Sequence, residues 1–209
     1  NISGYISTNY QKKFAIDFRS YVSDYTNNPK FAYGFSVSPR YRFNDQFSII
    51  YDIDFGDTLD DQGFATRDSN RNPVFGQRDR RNITNSLSGK YSFNTLSSIS
   101  LSFRHYRGTV TYEDQFYSLN TDGTLATNSY IGNEDVNFNS WNLDLNYIWQ
   151  FAPGSQLIAF YRNSIFNSND NSEIGFVENL ENLFDQPNQH LFSLRFVYFL
   201  DYNNIKNIF

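Results

Sequence analysis

The feature that most restricts this chain is a two-residue period held over segments of about nine to twelve residues, because successive strand side chains point to opposite faces. In residues 141–151, Trp141, Leu143, Leu145, Tyr147, Trp149 and Phe151 alternate with Asn142, Asp144, Asn146, Ile148 and Gln150. Residues 46–56 repeat the pattern: Phe47, Ile49, Tyr51, Ile53 and Phe55 share one face, and Ser48, Asp52, Asp54 and Gly56 the other, with Ile50 as the exception. In residues 31–43 the apolar set is Phe31, Tyr33, Phe35, Val37, Tyr41 and Phe43, set against Ser36, Ser38, Arg40 and Arg42. Residues 13–22, 82–93, 98–106 and 190–200 follow the same rule, with Asp17, Arg19, Lys90, Arg104 and Arg195 in polar positions. Residues 155–166 are ambiguous, since 157–161 is apolar on both faces, and residues 2–10 supply a further strand. Soluble sandwich strands run nearer five or six residues, whereas a strand that crosses a bilayer with tilt needs about nine to eleven. The predicted fold is therefore all-β: an antiparallel transmembrane β-barrel of the outer-membrane type. About nine strands are visible, in one domain over residues 1–209.

The connections agree with that reading. Short ones fall at 9–11, 44–46, 94–95 and 152–154, and long ones at 23–30, 57–79, 107–140 and 167–188. Outer-membrane barrels alternate short periplasmic turns with longer external loops. Part of the third long connection, 109–119, has strand character through Val110, Tyr112, Phe116 and Tyr117 and is expected to continue its hairpin above the membrane. Tyr10, Tyr41, Phe43, Phe47, Tyr91, Phe93, Trp149 and Phe151 cluster beside the short turns, while Trp141, Phe31, Tyr33 and Phe55 mark the opposite strand ends. They are expected to form two interfacial girdles, where amphipathic rings prefer to sit. Composition fits. Aromatic residues make up 19 % of a chain whose mean hydropathy is only -0.58, and a barrel reconciles the two because it needs apolar side chains at alternate positions only. The longest apolar runs, 196–200 and 157–161, are far shorter than a membrane-spanning helix.

The polar positions are expected to line the lumen as an ionic network of Asp17, Arg19, Arg40, Arg42, Asp52, Asp54, Lys90, Arg104, Asp144 and Arg195. Asp52 and Asp54, two residues apart on one face, have a separation compatible with acid–base chemistry, but pairing with the lumen arginines is the plainer reading. His105 and His190 fall in the lipid-facing register near strand ends, as interfacial imidazoles, and no serine or acid assembles with them by spacing. Residues 57–63 and 120–123 resemble calcium loops in composition only, without the ligand spacing or closing Glu of an EF-hand. No Cys is present, so there is neither a disulfide nor a thiolate metal site. A net charge of -5 without a basic stripe argues against nucleic acid. No metal site, cofactor or catalytic set is expected, and hence no enzyme activity. The chain opens at Asn1, lacks Met and carries no signal peptide. With an odd strand count, this leads us to expect at least one further strand upstream.

The stretch 147–157, aromatic-x-Trp-x-aromatic-x-Pro-Gly-Ser-x-Leu, with the terminal strand 192–200 followed by Asp201 and Tyr202, resembles the C-terminal β-barrel of a group of large, uncharacterised outer-membrane proteins. In that group a carbohydrate-binding-like β-sandwich of family nine type precedes the barrel. The resemblance implies architecture and carries over no catalytic residue. The sandwich is not in this sequence, so no sugar binding is implied. The expected role is a membrane anchor or passive, porin-like transport component in the outer membrane of a Gram-negative cell envelope. Its expected partners are outer-membrane lipid and either upstream residues of the same protein or other envelope proteins. A barrel enzyme of lipase or protease type and a soluble β-sandwich adhesin are the alternatives.

Overall fold

The computed structural model describes residues 1–26 and 29–200. Asn27 and Asn28 of the first long connection, and Asp201 and Tyr202 of the terminal motif, lie outside these residues. The elements are β1 (Ile2–Ser7), β2 (Phe14–Asp24), β3 (Phe31–Arg42), β4 (Phe47–Arg67), β5 (Pro73–Asn94), β6 (Ser97–Leu119), β7 (Leu125–Asn128), β8 (Val136–Ala152), β9 (Ser155–Asn169), α1 (Phe176–Phe184) and β10 (Gln189–Val197). They form one antiparallel sheet of ten strands, ordered β1-β2-β3-β4-β5-β6-β8-β9-β10, with β7 paired to the far end of β6. Each strand of the path pairs with its neighbour in sequence, apart from the β7 detour, so the sheet is a meander. Among the described residues it is not closed: β1 pairs with β2 and β10 with β9, which leaves one edge of each without a strand partner there. Nine antiparallel strands make up the path, so β1 and β10 run in the same direction.

The short turns owe their geometry to single residues. Asn44 Oδ1 accepts the backbone N–H of Gln46 at 2.9 Å and of Phe47 at 2.8 Å. Asn94 Oδ1 accepts Leu96 N–H, and Asn9 Oδ1 accepts Gln11 N–H, both at 2.8 Å. An Asn side chain that mimics the backbone two residues ahead is a turn device in its own right. The β8–β9 turn uses Pro153-Gly154 instead, with Gly154 at φ +72°, a region open to glycine.

Two of the expected long loops are mostly strand. β4 and β5 run past the expected boundaries and meet at a turn over 68–72, closed by Asp68 Oδ1, which accepts Asn70 and Asn72 N–H. β6 continues to Leu119, as the Val110–Tyr117 character predicts. The β4–β5 extension is hidden in sequence because its apolar residues, Leu59, Phe64, Val74 and Phe75, do not alternate as a stripe, and its strands are held also by pairs such as Asp61 opposite Arg78. A second difference is α1, a nine-residue helix within the connection 167–188, expected as an irregular loop.

Buried apolar side chains are few. Among the described residues they are Ala15, Ala32, Val74, Phe116, Ile165 and Leu183. Val74 and Phe116 lie in the upper part of the β5–β6 ladder, and Leu183 belongs to α1, so no single core exists.

Candidate functional site

Register assigns every sheet residue to one of two faces. The row Tyr51–Leu87–Phe103–Leu143 crosses four strands on one face. The next row, Asp52–Ser86–Arg104–Asn142, lies on the other. Following the pairs outward puts Asp17, Arg19, Arg40, Arg42, Asp52, Asp54, Lys90, Arg104, Asp144 and Arg195 on the same polar face. That face is concave: a cavity of about 590 Å³ is lined from β4, β5, β6, β8 and β9 by residues that include Ser48, Ile50, Lys90, Ser102, Asp144 and Phe160.

Sharing a face does not make these ten residues an ionic network. Among the described residues only Asp144 of the ten enters a salt bridge, and its partner is Arg162, which the sequence reading left out. The pair is bidentate, with both N···O distances 2.7 Å, the fork geometry that suits guanidinium and carboxylate. Asp52 accepts a hydrogen bond from the Ser38 hydroxyl, and Asp17 accepts from Tyr10 and Ser7. The Arg40 guanidinium stacks 4.7 Å over the Tyr10 ring, so Tyr10, expected in the aromatic girdle, belongs with the polar face instead, drawn there by Asp17 and Arg40. The polar face is held mainly by hydroxyl–carboxylate and cation–π contacts, because Ser and Tyr reach the carboxylates across neighbouring strands.

The ion pairs that do form lie higher, in the β4–β5 extension. Asp61 meets Lys30, Arg78 and Arg80 at 3.0, 3.2 and 3.0 Å. Asp57, almost wholly buried, accepts Arg81 at 2.7 Å and the Tyr33 hydroxyl at 3.0 Å. Burial pushes the Asp61 carboxyl up, but the Lys30 hydrogen bond, the Arg80 charge and the Arg78 hydrogen bond outweigh it and hold it below the usual range. The composition of 57–63 is therefore that of an ion-paired strand. Residues 120–123 form a plain turn, with Gly123 N–H donating to Asn120 O and Asp122 Oδ1 accepting from Thr124. Among the described residues no group of three or more His, Asp or Glu side chains is placed to hold a metal ion.

The opposite face carries the rings. At the short-turn end, Tyr41, Phe43, Phe47, Tyr91, Phe93 and Tyr147 make an unbroken chain, with successive centroids 4.7, 4.6, 6.0, 4.9 and 6.2 Å apart. Trp149 and Phe151 are 5.8 Å apart, and Phe151 stacks on Phe196 at 5.1 Å. At the long-hairpin end, Phe31, Tyr33 and Phe55 pack in sequence, and Trp141 packs on Phe103 at 4.2 Å. Many rings on this face stay exposed, Trp149 at 45 % and Phe192 at 72 %.

His105 departs from expectation. Its register is that of the aromatic face, but it is only 3 % exposed, because α1 lies over it. Its Nε2–H donates to Asn139 Oδ1 at 2.7 Å, and Asn85 Nδ2 lies 3.5 Å from its Nδ1. Asn139 Nδ2 donates to the Asn179 carbonyl, and Asn137 and Asn179 exchange two amide hydrogen bonds, all at 3.0 Å. Next to them, Arg107 donates to the Ile174 carbonyl at 2.6 Å, while the chain Thr111–Ser172–Asp135 ties down the approach to the helix at 2.8 and 2.6 Å. The imidazole is a structural link between sheet and helix. His190 keeps its place on the exposed edge strand, 2.9 Å from the Tyr161 hydroxyl.

No curated protein and no solved structure matches the chain. Among the described residues no helix is long and apolar enough to cross a membrane, a statement that does not bear on strands. The family described as a domain of unknown function, DUF5916, matches residues 1–209, and the chain belongs to that family.

Proposed function

We propose that this chain is part of the wall of an outer-membrane β-barrel that serves as a membrane anchor or passive passage for a larger envelope protein. The observation that carries the reading is the division of one sheet into a concave polar face and an exposed aromatic face bounded by two belts of rings. Trp141 and Trp149 lie eight residues apart on β8. That spacing is about 26 Å along a strand and, at a tilt near 40°, about 20 Å along a membrane normal, close to the apolar band of such barrels. The large exposed apolar surface has no second sheet over it among the described residues, and a water-facing surface of that kind would be an aggregation hazard.

In hydrocarbon, the free edges of β1 and β10 would leave backbone groups unsatisfied at several kcal/mol each. Because the two edges run in the same direction, antiparallel closure requires an odd number of further strands between them. Other residues of the same protein, or a partner chain, would supply these strands. The test uses the natural full-length protein in its own cells. The reading predicts that it sediments with outer membranes, resists alkaline extraction, and is cut in the β4–β5 turn by protease added to intact cells. Release by alkali, or cutting only after permeabilisation, would overturn it.

A further inference from the structure

We propose that α1 is a boundary helix of the outer leaflet: it seals a polar patch on the lipid-facing side of the wall and sets its own apolar flank against lipid. The inference rests on the barrel reading above. Four polar side chains, His105, Asn137, Asn139 and Asn179, are each 3 % exposed or less although the first three sit on the aromatic face. Such groups cannot face acyl chains without partners. The helix supplies both the partners, through Asn179, and the cover.

The helix has apolar surface to spare. At roughly 100° per residue, Asn179 and Leu183 point into the sheet, where both are fully buried. Leu180, Phe184 and Val177 continue the apolar arc round one flank, Glu181 faces directly away from the sheet beside Val177, and Glu178 lies on the other flank. Val177 is 67 % exposed and Phe184 46 %. This is the pattern of a helix lying in a membrane–water boundary. Its height agrees: Phe184 packs edge-on against Trp141 at 5.0 Å and Phe176 against His105 at 5.6 Å, so its rings extend the upper aromatic belt. The occupant is thus the lipid that already borders that belt.

These 209 residues contain no Cys, so single nitroxide labels can be placed in them in the full-length protein, with any cysteine elsewhere replaced by serine, reconstituted into phosphatidylethanolamine–phosphatidylglycerol vesicles. Labels at Val177, Glu178, Leu145 and Asn146 are compared for access to dioxygen, which partitions into lipid, and to a nickel chelate, which stays in water. We expect the dioxygen-to-nickel ratio to be several-fold higher at Val177 than at Glu178, and higher again at Leu145. A Val177 ratio equal to that at Glu178, with Leu145 still above Asn146, overturns the helix assignment and leaves the barrel reading intact. Protection of Val177 from both reagents means a protein covers it and overturns the assignment too. Equal ratios at Leu145 and Asn146 overturn the barrel reading, and this inference with it.

Discussion

The replacement of Leu145 by Arg separates the two faces energetically. Leu145 lies midway between Trp141 and Trp149 on β8, flanked by Leu101 and Tyr161 on neighbouring strands. Four residues to either belt is about 13 Å along the strand, or about 10 Å along the normal, which puts Leu145 near the midplane. An Arg on the lipid face there costs about 2–4 kcal/mol, a factor of about 30 to 1,000 in the folding equilibrium. Its neighbour Asn146 points into the concave polar face, beside Asp144. Asn146→Arg meets water and a carboxylate, so its cost should stay within about 0.5 kcal/mol. Denaturant unfolding of the vesicle-inserted full-length protein, followed by tryptophan fluorescence, measures both. Equal costs, or a larger cost at Asn146, would refute the face assignment.

Three further outcomes follow from the geometry. A Cβ on Gly34 would stand 2.5 Å from the Phe55 carbonyl and 2.7 Å from the Tyr21 ring. Gly34→Ala should therefore lose about 1–3 kcal/mol, and Gly4→Ala, with nothing within 4 Å, should not, as the same unfolding assay would record. The Asp61 carboxyl is held below its ordinary pKa, so its contribution is complete above an unfolded value of about 3.9 and is lost as pH falls through the lower folded value. Pepsin should accordingly cut the β4–β5 hairpin more readily as pH drops through that window, and Asp61→Asn should flatten the dependence. Finally, the purified protein should hydrolyse neither phospholipid nor peptide. A measured turnover that disappears in Asp52→Asn or His105→Ala would contradict this.

What could be read from sequence tracks where one face is apolar. Seven of the nine strands of the meander were legible because Leu143, Leu145 and Tyr147, and their counterparts, repeat every second residue, whereas β9 was ambiguous, since 157–161 is apolar on both faces, and β1 carries no clear alternation. The β4–β5 extension was not legible, since cross-strand ions replace the apolar stripe there, and counting back from the 68–72 turn does not pair Asp61 with Arg78, because a bulge between Phe64 and Thr66 shifts the register by one. Alternation put the ten polar residues on one sheet face, but their bonding was not legible, because hydroxyl-to-carboxylate reach depends on rotamers that alternation does not encode. The signal for α1 was indirect: Asn85, His105, Asn137 and Asn139 break the apolar register on three strands that the fold makes adjacent. Polar residues clustered on a lipid-facing surface imply a cover, and Phe176, Leu180 and Phe184 at helical spacing provide it.

The most direct test of the central claim is a cysteine-labelling scan of every position from 141 to 151 on β8, in the full-length protein inserted in vesicles, read with lipid-soluble and water-soluble quenchers. The barrel reading predicts a strict two-residue oscillation, with Trp141, Leu143, Leu145, Tyr147, Trp149 and Phe151 lipid-accessible, their even-numbered neighbours not, and greatest depth at Leu145. A flat profile, or an oscillation in water access without lipid access at any position, would contradict it.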